Sequence, residues 1–279
     1  MTIVAGFTCC DGVLLCADSQ YSTWDRLHRD KIFVKMCGVA NIAFATYGDA
    51  DYAKTAIDDI HEDALRIPTK EQTIWTIRKA ARRAVKRVLA DYDTQKHLDP
   101  SQRPAFLVGI NGPSQVGGPC GVRLFSSNDT AFSSIDSFDC RGTGSSIGNY
   151  VIGNNLHHCN MLNMYMLLPL AVKAVAAAKR NDNYSGGGFQ FVSMSATAVS
   201  AIAGYDADEL DKLAREFDEW ATFVFCRLGE SRLNDNDFKN TLAFFGEKMQ
   251  GLRSSFTTPG SSYRALADTL GLTDWTKAD

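Results

Sequence analysis

The 279 residues include 29 basic and 32 acidic side chains, a formal charge of -3, with 45% hydrophobic and 22% charged residues. That balance suits a soluble globular chain of one large domain with an appendage, and it attracts no polyanion overall, so nucleic acid is not an expected partner. No apolar run reaches the roughly 18 residues needed to span a bilayer, and Ile3, Val4 and Ala5 follow Met1-Thr2 without a basic leader, so a cytoplasmic protein with no membrane partner is expected.

Residues Thr2 to Cys9 and Gly12 to Ala17 are apolar and β-prone, and Asp11-Gly12 between them signals a hairpin. Lys31 to Met36 and Ala40 to Thr46 predict a second pair of short strands. From Asp49 the period changes: Tyr52, Ala56, Ile60, Ala64 and Leu65 recur at helical spacing, and Pro68 closes that helix. Thr69 and Gln72 are read as a capping box for the next helix, with Ile74, Ile77, Ala81, Val85, Val88 and Tyr92 on its inner face. Strands return at Ala105 to Ile110, Gly121 to Phe125 and Thr130 to Phe132, and a helical stretch from Ser145 to Lys179 breaks near Gly153 to Asn155. A last strand, Phe189 to Met194, precedes a region after Ala196 that reads as helical throughout. Two batches of strands, each followed by a helix pair, imply an α+β chain of helix-covered sheets and argue against a doubly wound parallel fold. The expected division is a domain over residues 1–195 and a helical C-terminal extension over 196–279.

The candidate chemistry starts at Thr2. Removal of Met1 would leave its hydroxyl beside a free α-amine, so nucleophile and base would share one residue. Asp18 ends the second strand, one hairpin away, and Lys31 begins the third. A buried lysine there would lower the amine pKa and stabilise an alkoxide, while the aspartate held it charged and oriented. Gly48 lies where strand gives way to helix, a place for a backbone amide that stabilises an oxyanion. Thr143, Asp182 and Ser185 stand in two late turns, Gly142-Thr143-Gly144-Ser145 and Asp182-Asn183-Tyr184-Ser185-Gly186-Gly187, and could hydrogen-bond a terminal amine. The same turns also suit plain glycine-rich connections.

These segments resemble, in order over about the first 195 residues, the proteasome β-subunit family of N-terminal nucleophile hydrolases and its simpler bacterial relatives. The resemblance rests on Thr2-Ile3-Val4-Ala5-Gly6, Asp11-Gly12-Val13, Ala17-Asp18-Ser19, Asp30-Lys31-Ile32, Gly48 with Asp51, Gly142-Thr143-Gly144 and the Asp182 to Gly187 turn. It implies a four-layer αββα sandwich and a homo-oligomer, ring or related assembly, with an ATPase or other regulator as a further partner. It also implies a threonine peptidase that cleaves polypeptides through an ester on Thr2, with Lys31 tuning the amine and Asp18 paired to Lys31. Gly48 would hold the oxyanion, and Asp182 and Ser185 would order the amine, with Thr143 where the family usually has serine. Tyr21, Thr46 and Ala50 resemble pocket positions for the peptide substrate. No cofactor is implied. The alternatives are a catalytically inactive, proteasome-like structural subunit and an amidase of small amides.

Two other features read as structural. Arg78, Lys79, Arg82, Arg83, Lys86 and Arg87 lie opposite an apolar helix stripe, as a solvated face or a subunit contact would. Neighbouring positions in His157-His158-Cys159 point about 100° apart on a helix, which does not suit a metal site.

Overall fold

Asp11 and Gly12 turn β1 (Val4–Cys9) into β2 (Gly12–Asp18), and the register Val4 to Ala17 through Cys9 to Gly12 makes the hairpin that the alternation implied. The computed structural model describes residues 3–19, 30–95, 102–128, 131–156, 161–182, 185–228, 230, 234–258 and 260–272. Next come β3 (Ile32–Cys37), β4 (Ala40–Tyr47), α1 (Ala50–Leu65) and α2 (Ile74–Thr94). They are followed by β5 (Ala105–Pro113), β6 (Cys120–Asn128), β7 (Ala131–Ile135), β8 (Phe138–Arg141), α3 (Ser145–Asn155) and α4 (Met164–Asn181). The described chain closes with β9 (Phe189–Met194), β10 (Val199–Tyr205), α5 (Asp208–Leu228), α6 (Asp235–Thr257) and α7 (Ser262–Thr269).

The strands form two antiparallel sheets of order β10-β9-β2-β1-β8 and β3-β4-β5-β6-β7. Three apolar clusters separate four layers. Val4, Val13, Leu15, Ala43, Leu107 and Val192 fill the space between the sheets. Phe44, Ile57, Ile77, Val85 and Phe106 pack α1 and α2 on the second sheet, and Phe7, Leu14, Leu168, Val172 and Phe191 pack α4 on the first. The chain is therefore an αββα sandwich with additional C-terminal helices.

Local chemistry moves some element ends. The cap of α2 is Thr73, not Thr69: its hydroxyl accepts from Thr76 N, and Thr76 Oγ1 accepts from Thr73 N. Thr69–Glu71 forms a short 3-10 turn instead. The four-residue strand β8 and the strand β10 escape the sequence pattern, the latter inside the stretch read as helical. β10 pairs with β9 at the edge of the first sheet, and a register shift between Ile202 and Tyr205 bulges it. On α2, Lys79, Arg82, Arg83 and Lys86 are exposed as expected. Arg87 ties α2 to Asp59 and Asp63 of α1, and Arg78 bonds the Phe132 carbonyl.

The C-terminal helices divide into an outer hairpin and an inner anchor. Leu266, Ala267 and Leu270 of the α7 segment are buried in the cluster beneath the first sheet. Ser193 Oγ donates to Leu270 O at 2.6 Å, and Tyr205 Oη donates to Ser262 O at 2.7 Å. The α5–α6 hairpin leaves Phe225 at 74% and Leu228 at 63% exposure.

Candidate functional site

Asp18 and Lys31 meet across the two sheets rather than within one hairpin, because β2 ends in the first sheet where β3 begins in the second. Lys31 Nζ donates to Asp18 Oδ1 at 2.8 Å, and both side chains are wholly buried. The same oxygen accepts from Ile3 N at 3.0 Å, while Oδ2 accepts from Gly186 N at 2.8 Å. One carboxylate thus fastens β3, the start of β1 and the loop ahead of β9. Removing a lysine from water disfavours its charged form, and burial brings Lys31 down to about 8, with Asp18 and, more weakly, Asp182 opposing the fall.

Gln190 completes this junction. Its Oε1 accepts from Lys31 N at 2.7 Å and Ile32 N at 3.2 Å, and its Nε2 donates to Asp30 Oδ1 at 2.8 Å. Thr46 is buried and donates N–H to Lys31 O at 2.8 Å, with its hydroxyl on the same oxygen at 3.3 Å. Gln190 was not singled out by sequence, although a glutamine within the buried run Phe-Gln-Phe-Val is the signal that would have found it.

A second cluster sits beside the first. Thr143 Oγ1 donates to Asp182 Oδ2 at 2.6 Å, and Ser185 Oγ donates to the same oxygen at 2.9 Å. Ser185 N also donates to Asp182 O at 3.0 Å, so the turn runs straight into the Gly186 amide that Asp18 holds. Between Thr143 and α3, Gly144 has no room for a side chain: a Cβ would stand 2.8 Å from that of Ala178 and 3.2 Å from that of Ile3.

Gly48 has φ +89°, and a Cβ would lie 2.5 Å from Arg103 O and 2.7 Å from Gln102 O. Glycine is required there by conformation and by close backbone approach. Ala50 opens α1, which Asp49 caps by accepting from Asp51 N and Tyr52 N, both at 3.0 Å. The structure therefore brings Asp18, Lys31, Thr46, Thr143, Asp182 and Ser185 together, with Gly48 and Ala50 at the β4–α1 junction. Thr2 and Tyr21, like His157, His158 and Cys159, lie outside the described residues.

No family model matches the sequence, and no curated protein does. Solved structures match the fold. An Anbu (Gly-1) mutant from Hyphomicrobium sp. strain MC1 is similar at 15% identity and TM-score 0.66, over 82% of this chain and 100% of that one. The Anbu complex from Pseudomonas aeruginosa, solved as a helical assembly, is similar at 16% identity and TM-score 0.65, over 83% and 100%. The chain has the Anbu fold. A third Anbu, described as an ancestral beta-subunit, from Yersinia bercovieri, is similar at 12% identity and TM-score 0.63, again over 83% and 100%.

These matches correct the functional expectation. The sequence pointed to a threonine endopeptidase; likeness to Anbu favours the alternative of a proteasome-like structural subunit, and the labels hydrolase and threonine protease fall with the peptidase. The physical reason lies in the junction itself. Asp18, Lys31, Asp182 and Ser185 bond backbone and side chains across the sheets, bonds that a scaffold uses without any reaction. Their presence together suits a structural joint as well as a reacting site.

Proposed function

We propose that this chain is a non-enzymatic, proteasome-like subunit that builds a homo-oligomeric assembly. The observation that carries this reading is the match, at TM-score 0.65, to an Anbu complex solved as a helical assembly. The buried Asp18–Lys31–Gln190 junction supports it, since it gives the rigid sandwich that repeated subunit contacts require. Residues 1–195 supply the sandwich in this reading, and 196–279 form an extension that adds β10 to its edge. Polypeptides or a regulatory ATPase would enter as docking partners rather than as substrates. We place the subunit in the cytoplasm; among the described residues no helix is long and apolar enough to cross a membrane.

Two measurements test it. Sedimentation velocity of the full chain should give a defined species larger than one subunit, and a monomer at all concentrations would sink the assembly. Intact-mass analysis after exposure to a threonine-directed covalent inhibitor should show no adduct. An adduct that disappears in Thr2→Ala, with turnover of a fluorogenic peptide, would overturn the non-enzymatic reading.

A further inference from the structure

The outer face of α5 carries charges of both signs around an aromatic groove. The groove is ≈ 810 Å³ and is lined by Lys212, Arg215, Glu216, Glu219, Trp220, Phe223 and Phe244. Trp220 packs edge-on against Phe223 at 5.9 Å and Phe244 at 5.1 Å, and Lys248 stands 5.4 Å from the Trp220 ring centre. Phe223 and Phe244 nonetheless remain more than two-fifths exposed. Lys212, Glu216, Glu219 and Phe223 follow one another at spacings of four, three and four, which places them on one stripe of the helix. Among the described residues Lys212, Glu216 and Glu219 have no ion pair, and Arg215 has only Asp211 at 3.3 Å.

The order of these charges points to what covers the stripe. Among the charged α5 residues that line the groove, the basic ones come first, Lys212 and Arg215, and the acidic ones second, Glu216 and Glu219, although outside it the helix opens on Asp208, Glu209 and Asp211 and carries Arg227 in its last turn. The pattern reverses sign about a point between Arg215 and Glu216. A polyanionic partner, nucleic acid or acidic peptide, would meet Lys212, Arg215 and Lys248 but be repelled by Glu216 and Glu219 on the same stripe. A parallel copy would set like on like. An antiparallel copy related by a two-fold axis at that point sets Lys212 opposite Glu219 and Arg215 opposite Glu216, in both directions at once, which is the self-complementarity that an isologous contact demands.

We propose that α5 is a two-fold, antiparallel self-association surface whose centre lies between Arg215 and Glu216, with a second copy of this chain as its occupant. The inference deepens the homo-oligomer reading and rests on it. It is tested with full-length E216K/E219K and with the fourfold charge swap K212E/R215E/E216K/E219K, by sedimentation velocity over a concentration series, with far-UV circular dichroism to confirm that each variant folds. Reversing the acidic residues should weaken self-association roughly 10- to 100-fold. The fourfold swap should restore it to within a few-fold of wild type. A wild-type chain that stays monomeric overturns the assembly reading itself and this contact with it. A wild-type assembly that E216K/E219K leaves unchanged overturns only the α5 contact. Disruption that the fourfold swap does not repair overturns the two-fold register.

Discussion

Asp18 accepts from three segments that are far apart in the chain, and Gln190 accepts from the two backbone amides at the entry to β3. An isolated charge in that setting would be costly, so the lysine, the aspartate and the glutamine stand or fall together. Gln190→Leu keeps the size but removes the side-chain oxygen that accepts from the Lys31 and Ile32 amides; stability to urea should drop by about 2–4 kcal/mol. Lys31 gives a pH signature. Its folded value of about 8 lies below the ordinary 10.5. Between those values the unfolded chain holds a proton that the folded chain has released, so stability should rise with pH across that window, and below it Lys31 should add no pH dependence. Lys31→Met should lack that rise in urea titrations from pH 7 to 10.5, and the Lys31 side-chain NMR signal of wild type should titrate near 8. Asp18, Lys31, Asp182 and Ser185 were legible because charged or polar residues at strand ends and in a glycine-rich turn stand out. Their partners Ile3 N, Gly186 N and the Lys31 backbone were not, since main-chain donors carry no residue signature.

At the scale of elements, period and punctuation gave both hairpins, both helix pairs and helix-covered sheets, while the four-layer sandwich came from the family resemblance. The missed pieces have physical causes. β8 is four residues long, too short for an alternation to register, and β10, Val-Ser-Ala-Ile-Ala-Gly-Tyr, is rich in small residues and is held by pairing to β9 rather than by intrinsic preference. The cap of α2 was misplaced by four residues because Thr69 and Thr73 offer the same hydroxyl, and only the second finds a free Thr76 amide. That difference is measurable: Thr73→Ala should cost about 1 kcal/mol, against no more than about 0.5 kcal/mol for Thr69→Ala, in thermal or urea unfolding.

Over the whole molecule, the C-terminal helices behave as two structures. The α7 segment belongs to the core of the first sheet, whereas the distal α5–α6 hairpin projects from it. Leu266→Ala, at a fully buried position, should lower stability by about 2–5 kcal/mol in a single cooperative transition, while Phe225→Ala at the exposed tip should stay within about 0.5 kcal/mol; calorimetry of both variants checks this. Fold class was legible at this scale, but function was not, because the same buried polar residues serve a reacting site and an inert joint equally well. The bulge in β10 has a further consequence. Between Ile202 and Tyr205 its register on β9 slips, with Gly204 at φ +68°, so only Val199 to Ile202 offer an incoming strand a regular row of peptide groups. So short a template resists edge-to-edge growth of the sheet. Polymers of this chain should therefore lengthen through helix contacts and stay reversible, rather than convert at that edge into cross-β aggregates.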